Sequence, residues 1–561
     1  MYAAGTSGYG TGATSILNGS GNVITASDGT FSISSGYTCP SSSSQVYLIA
    51  TGGNIGTGIN NNAVLMAALG NCGDLGASTF VSINEVSSVA AIYALAQFMT
   101  PGSTAVGTSS TNVTGLVNAF HTVANIADLA TGTALSTTPA GNGIIPASTI
   151  NSLANIMEAC VDTTGATPTC TNLFSAATPP GGIAPTDTLA AMLDIAQNPG
   201  HNVAALFKIA PSQGLFQPTL SGAPNDWTIS VEYTGGGLNA PGLPAVDAAG
   251  NIWVPNAVDP GTLSEFSAVG EPFSGANGFS GGGLSYPQAV AVDLNGNVWS
   301  ANEGVSSVSE HTAGGTALSG SNGFTATGLS TQYAIALDAA GNVFTANSNS
   351  TVTKLNTAGT SIGQFINGGL NVGYSIAVDS TQNVWIANAG PLLAPGDTVS
   401  KFSNTGTSAS LSGFTGGGLN GPVSIAIDAA GNVWAGNFNS ASVTKLSSAG
   451  SPLSGAGYTT PNFVSGIAVD GSNTIWTANT DGSISHLSNS GAAISPASGY
   501  LAPAATGEVG IAIDASGNVW TTDAWPNSAG NYSLFEYIGA AGPTAVPLQQ
   551  AVKSKLLGQR P

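Results

Sequence analysis

Seven aspartates, Asp247, Asp293, Asp338, Asp379, Asp428, Asp470 and Asp514, each close a short apolar run ahead of a turn and an aromatic, at intervals of 46, 45, 41, 49, 42 and 44 residues. Carboxylates recurring this way could form a ligand array. At the head of a tight turn they would instead accept from turn amides, and one per repeat at equivalent positions favours that reading. The stretch from Asp293 to Asn297 has the start of a calcium loop but lacks the remaining ligands and the distal Glu. Nine residues after each aspartate stand Asn256, Asn302, Asn347, Asn388, Asn437, Asn479 and Asp523. This second set could ring the mouth of a channel and hydrogen-bond a polar ligand, or it could end a strand and satisfy the following turn. Glu303, Asp397, Asp481 and Asp523 fall on the same face. Clustered, Glu303 and Asp523 could hold Ca²⁺ or Mg²⁺ through oxygen ligands; scattered, they are solvated loop charges. No other cofactor is suggested. Trp525, beside Pro526, reads as a sugar or peptide platform or as a half-buried loop anchor.

The usual hydrolase parts are not visible. No serine sits in GxSxG, and the four histidines give no Ser/His/Asp set by spacing. His121 and His201 fall in a helical region; His311 and His486 fall at alternating positions of equivalent strands, which point them to opposite faces.

The elements carrying these residues follow from the repeat, whose copies read AVDAAGNIW, AVDLNGNVW, ALDAAGNVF, AVDSTQNVW, AIDAAGNVW, AVDGSNTIW and AIDASGNVW. A period in the forties is that of a propeller blade. The apolar run is strand a, Asp-x-x-Gly-Asn the a–b turn, and the aromatic (Trp253, Trp299, Phe344, Trp385, Trp434, Trp476, Trp520) lies on strand b. Strand c reads LSEF, VSEH, VTKL, VSKF, VTKL, ISHL and LFEY, and strand d is the irregular run before Gly-Gly-Gly-Leu. The segment Trp227–Leu238 looks like a strand d without a preceding blade, so it is expected to complete the last one and remove the open edges. The long b–c loops of blades one, four and seven should project on the face of Trp525.

The expected fold is mainly β: a seven-bladed β-propeller, with six blades as the alternative, preceded by a small β-sandwich and a helical domain. The expected boundaries are 1–80 for a truncated sandwich, 81–210 for the helices, 211–226 for a linker, 227–542 for the propeller and 543–561 for a C-terminal tail. Helices are expected in SINEVSSVAAIYALAQFM, TNVTGLVNAFHTVANIADLA, PASTINSLANIMEACV and PTDTLAAMLDIAQNPG, from their starts and Ala/Leu/Ile stripes. The tail, with Lys553, Lys555 and Arg560, reads as a frayed end or a contact to an anionic surface.

Composition limits the partners. With 27 acidic against 7 basic residues, nucleic acid is an unfavourable partner. Only 6 % of residues are charged, so hydroxyls, amides and backbone wet the surface, which suits an extracellular or cell-surface protein. Cys39, Cys72, Cys160 and Cys170 fit two disulfides, most simply Cys39 with Cys72 and Cys160 with Cys170 among three pairings, and their spacing does not suit zinc. No apolar run approaches the length of a membrane helix. The opening MYAAGTSGYGTGATSI has no charged leader or apolar core, so a mature or truncated form is expected.

The phrase IAIDAAGNVWAGN followed by SVTKLSSAG resembles the NHL-repeat class of β-propellers, and within it the secreted bacterial proteins related in fold to streptogramin B lyase. The resemblance covers about 325 residues. The stretches YTCPSSSSQVYLIATGG, NNAVLMAALGNCGDL and TDTLAAMLDIAQNPG look like the region preceding such propellers in exported acidobacterial proteins. The opening β segment is similar to a truncated carboxypeptidase-regulatory-like, Cna-B-type sandwich. Streptogramin lyases use a His/Glu/His set with Mg²⁺, and no blade here has His in the matching strand-end context. Gluconolactonase-type propellers hold a divalent cation with Glu, Asn and Asp, a chemistry that Glu303, Asn388, Asn437 and Asp523 could imitate without a motif match. The resemblance implies location more than activity. The expected function is a non-catalytic binding platform for a glycan, peptide or protein at the propeller face. The alternatives are a metal-dependent lyase or lactonase at the channel mouth, and a structural component of a surface layer or fibre in which copies self-associate.

Overall fold

The computed structural model describes the chain apart from residues 20–21, 34–35, 55–57, 166, 211–213 and 391–396. Parts of the expected linker and of the b–c loop of blade four therefore lie outside the described residues. The chain forms two compact units: Met1–Ile229 with Ile538–Ala540, and Ser230–Tyr537 with Ala541–Pro561.

In the first unit β1 (Tyr2–Ala3), β2 (Thr14–Ser15), β3 (Gln45–Thr51) and β4 (Val64–Asn71) form one antiparallel sheet in the order β2-β1-β3-β4. This corrects the expected sandwich: among the described residues helices, not a second sheet, pack on it. Helix α1 (Glu85–Leu95) starts at a capping box of Asn84 and Ser87 and buries every residue. Its Ser88 hydroxyl accepts from Met66 N (2.9 Å) and donates to Met66 O (3.2 Å) on the edge strand β4. Thr188, further along, treats Val64 in the same way, at 2.9 and 2.8 Å. Two helix hydroxyls thus satisfy edge groups that a second sheet strand would otherwise have to pair. The remaining helices are α2 (Val113–Ile126), α3 (Ala147–Val161), α4 (Pro168–Ala177), α5 (Thr188–Gln197) and α6 (Val203–Phe207). The short α4 and α6 escape the periodicity argument. Both disulfides form: Cys39–Cys72 and Cys160–Cys170, the second joining α3 to α4.

The second unit is a succession of seven small antiparallel sheets among the described residues. Their first strands are Ala245–Val246, Pro287–Val292, Gln332–Leu337, Gly373–Val378, Pro422–Ile427, Val464–Val469 and Glu508–Ile513. Each pairs with the aromatic-bearing strand b, which pairs in turn with strand c. Ser230–Tyr233 pairs with Leu534–Tyr537, so the first residues of this unit supply the fourth strand of its last sheet. The last sheet also meets the first: Thr522 Oγ1 donates to Gly242 O at 2.9 Å.

Aromatic pairs explain why the sheets pack as wedges. In every sheet the strand-b ring meets a strand-d ring: Trp253–Phe279, Trp299–Phe324, Phe344–Phe365, Trp385–Phe414, Trp434–Tyr458, Trp476–Tyr500 and Trp520–Tyr233, with centroids 5.6–6.0 Å apart. The next sheet's c–d turn lies flat on the strand-d ring. Gly450, at φ 86°, is one such position, where a Cβ would come within 2.2 Å of the Phe414 ring. Gly270 of the first sheet sits in the same way on Tyr233 of the last.

The aspartates are turn residues. In all seven turns Asp Oδ1 accepts the amides two and four residues on, at 2.8–3.0 Å. In four sheets Oδ2 also accepts the indole N–H, as in Trp385–Asp379 at 2.9 Å.

The C-terminal segment corrects another expectation. It is neither frayed nor laid out for a surface. Helix α7 (Leu548–Ser554) and the residues after it bury Ala551, Val552 and Leu557 among the inner strands. Gln549 anchors it at the a–b turns, donating to Asp338 O (2.9 Å) and accepting from Leu294 N (2.8 Å). The apolar positions of this short helix, not its neighbouring basic residues, decide where the segment lies.

Candidate functional site

Strand alternation builds the central channel from stacked rings of side chains. The bottom ring, next to the a–b turns, is Val246, Val292, Leu337, Val378, Ile427, Val469 and Ile513; the middle ring is Pro244, Val290, Ile335, Ile376, Ile425, Ile467 and Ile511. In the six sheets after the first, the register shifts at the second residue of strand a, a β-bulge repeated in each. The bulged residues are Gln288, Tyr333, Tyr374, Val423, Ser465 and Val509, all half-buried. Bulges re-aim side chains and cluster next to sites. Here they set the rim of the channel, at the end opposite α7.

Polar and aromatic groups gather on one arc of that rim. Tyr333 and Tyr374 stack with centroids 4.9 Å apart and 13° between planes. Gln288 Nε2 donates to Glu303 Oε2 at 2.5 Å. Partial burial pushes both phenols above their ordinary range, and the Glu303 carboxylate adds to the shift of each. The loops of the same face carry more aromatic surface: Tyr286, Phe463 packed near Phe438, and Trp525, which is 64 % exposed.

The strand-b termini sit elsewhere than expected. Asn256, Asn302, Asn347, Asn388, Asn437 and Asn479 are fully buried. Each Nδ2 bonds two alternating hydroxyls of strand c, such as Ser442 (2.9 Å) and Thr444 (3.2 Å) for Asn437. Asn256, Asn347, Asn388, Asn302 and Asn479 repeat the pattern. The six amides are clamps across the b–c turn and are not open to a channel ligand. They also explain the Ser/Thr alternation of strand c, the one sequence signal that pointed to this role.

Asp523 is the seventh member and is likewise buried. It accepts from Thr506 N (2.8 Å), Thr506 Oγ1 (2.9 Å) and Trp525 N (3.2 Å). Burial raises its pKa while those bonds oppose the rise. Its role is to hold the loop that presents Trp525, whose ring edge lies against Gly507. Glu303 and Asp523 thus have separate sets of neighbours, in sheets that are not adjacent. Among the described residues no three His, Cys, Asp or Glu lie together as a metal site. Asp481 caps its own turn, accepting from Ser483, and Asp397 accepts from Gly421 N. His311 and His486 lie in the second and sixth sheets; His486 stacks on Trp476 at 4.0 Å. The rim tyrosines were missed because nothing marks the second residue of a strand as a bulge until its partner register is known.

The sheets and their bulged inner strands define a β-propeller. Solved structures of similar fold include a virginiamycin B lyase from Staphylococcus aureus, with TM-score 0.44 and 12 % identity over 55 % of this chain and 98 % of that one. A streptogramin B lyase gives 0.43 and 14 %, covering 55 % and 97 %. A catalytically inactive virginiamycin B lyase from Staphylococcus aureus with quinupristin gives 0.42 and 14 %, covering 54 % and 94 %. No family model and no curated protein matches the sequence. Two disulfides are consistent with an extracellular protein, and no helix among the described residues is long and apolar enough to cross a membrane.

Proposed function

We propose that the chain is a secreted or cell-surface, seven-bladed propeller whose channel rim is a non-catalytic binding platform for a glycan. The observation that carries this is the stacked Tyr333–Tyr374 pair beside the Gln288–Glu303 hydrogen bond. Flat aromatic faces pack against the C–H faces of sugar rings, while a carboxylate and an amide take their hydroxyls. The exposed Trp525 on the same face offers a second stacking surface. Its loop is held by Asp523 and Thr506, so part of the ordering cost is met before a ligand arrives.

A metal-dependent lyase or lactonase is the competing reading, and it needs an ion at Glu303 or Asp523. Three measurements on the intact protein separate them: a glycan array, a melting curve with and without chelator, and metal content by mass spectrometry. The platform reading expects glycan binding that persists in chelator, with an unchanged melt. A stoichiometric divalent ion whose removal abolishes ligand binding would overturn it in favour of the metal-dependent reading.

A further inference from the structure

Below the rim the channel encloses a cavity of about 230 Å³. Among the described residues no Asp, Glu, Lys, Arg or His lines it. Its walls are the two aliphatic rings, represented by Ile335, Ile376 and Ile425 above Leu337 and Ile427, and Val552 of α7 forms part of the floor. The polar side chains of the floor are engaged elsewhere: Gln549 bonds the a–b turns, and the Thr544 hydroxyl donates to Ile513 O at 2.7 Å.

Such a space does not close by relaxation. Each sheet is held against the next where a c–d turn sits on a strand-d ring, as Gly450 does on Phe414 and Gly270 on Tyr233, so inward movement of the inner strands would break those contacts. Protein interiors otherwise leave few voids larger than a water, and apolar cavities of this order take up apolar molecules. Each strand a is also the edge of its sheet, so backbone groups are at hand for one hydroxyl or carbonyl of a ligand.

We propose that the lower channel is a binding site for a neutral, mainly hydrocarbon small molecule such as a medium-chain alcohol. The site uses the rings below the rim and stands independently of the glycan reading. The probe is N-phenyl-1-naphthylamine, titrated into the full chain and then displaced by n-alkanols from hexanol to tetradecanol. One saturable site is expected, with displacement strengthening along the series until the chain outgrows the cavity and then weakening. The Ile376→Phe variant, which fills the middle ring, should weaken the probe by at least about tenfold while its circular dichroism stays that of the unaltered protein. If that variant does not fold, the length cut-off in the unaltered protein decides. Non-saturable binding, affinity rising through tetradecanol without a cut-off, or an unchanged affinity in folded Ile376→Phe would overturn the proposal.

Discussion

Raising the pH from 5 to 8 is expected to lower the melting temperature, on the order of 5 °C or more. The cause is an unusual set of carboxyls buried next to other carboxyls. In strand c the residue over the strand-b ring is Lys in three sheets, Glu in three and His in one. Lys354, Lys401 and Lys445 stand over Phe344, Trp385 and Trp434 at 5.1, 4.6 and 4.6 Å, and two of them also pair with the turn aspartate, Lys354–Asp338 at 3.8 Å and Lys445–Asp428 at 3.7 Å. Where Glu replaces Lys, two acids face one another across an Asn amide, as Asn251 bonds both Asp247 and Glu265 at 3.1 Å.

Burial, then the neighbouring aspartate, raises Glu265 and Glu310 to about 7. Glu536 rises to about 8, although the Tyr233 hydroxyl at 2.7 Å works against the shift. Burial also lifts Glu85 to about 7, Asp194 and Asp514 to about 6, and Glu508 well above its ordinary value. In the unfolded chain all of these ionise near pH 4. From there to about pH 8 the folded chain holds more protons than the unfolded one, so stability falls as pH rises. Asp379 and Asp428 act oppositely: burial raises them, but their several hydrogen bonds outweigh it and leave them low, so their contribution is lost only in stronger acid. His486, which burial lowers to about 4, and His311, lowered by the same cause, also oppose the trend as the unfolded imidazoles lose their protons near pH 6.5, but the raised carboxyls outnumber them. The optimum is therefore expected at mildly acidic pH. A melting temperature that climbs steadily from pH 5 to 8 would refute this account of the carboxyl pairs.

Trp434→Ala should cost about 3–5 kcal/mol of stability. The ring is fully buried, stacks with Tyr458, lies under the Lys445 ammonium and donates to Asp428 at 3.2 Å. Removing it leaves a cavity between sheets and strands Lys445 without its aromatic face. Denaturant unfolding monitored by circular dichroism reads the loss directly. A change within about 0.5 kcal/mol, the range of ordinary surface substitutions, would contradict this packing role.

The repeat made the wedges legible because each is specified locally: an apolar strand, an Asp turn, an aromatic. The closing strand at Ser230–Tyr233 was legible for the same reason, as a strand d without its blade. Its partner ring was not, since Tyr233 meets Trp520 across almost three hundred residues. The site fared worse. Asn437 and its equivalents looked like a channel ring because their spacing is regular, yet regularity here reflects a repeated structural clamp. Tyr333 and Tyr374 vary from sheet to sheet, and a position that departs from its repeat is where a scaffold can carry function. The N-terminal sheet misled because strand alternation cannot say whether a helix or another sheet covers it.

A glycan bound at the rim is expected to stack on the tyrosine pair. The most direct test is calorimetric titration of the strongest array glycan into the unaltered protein and into Tyr374→Ala, with melting curves confirming that both are folded. The variant is expected to lose about 1–2 kcal/mol of binding free energy, roughly five- to thirtyfold in affinity, since one of two stacked rings is removed. Equal affinity in the two proteins would place the ligand away from the channel rim.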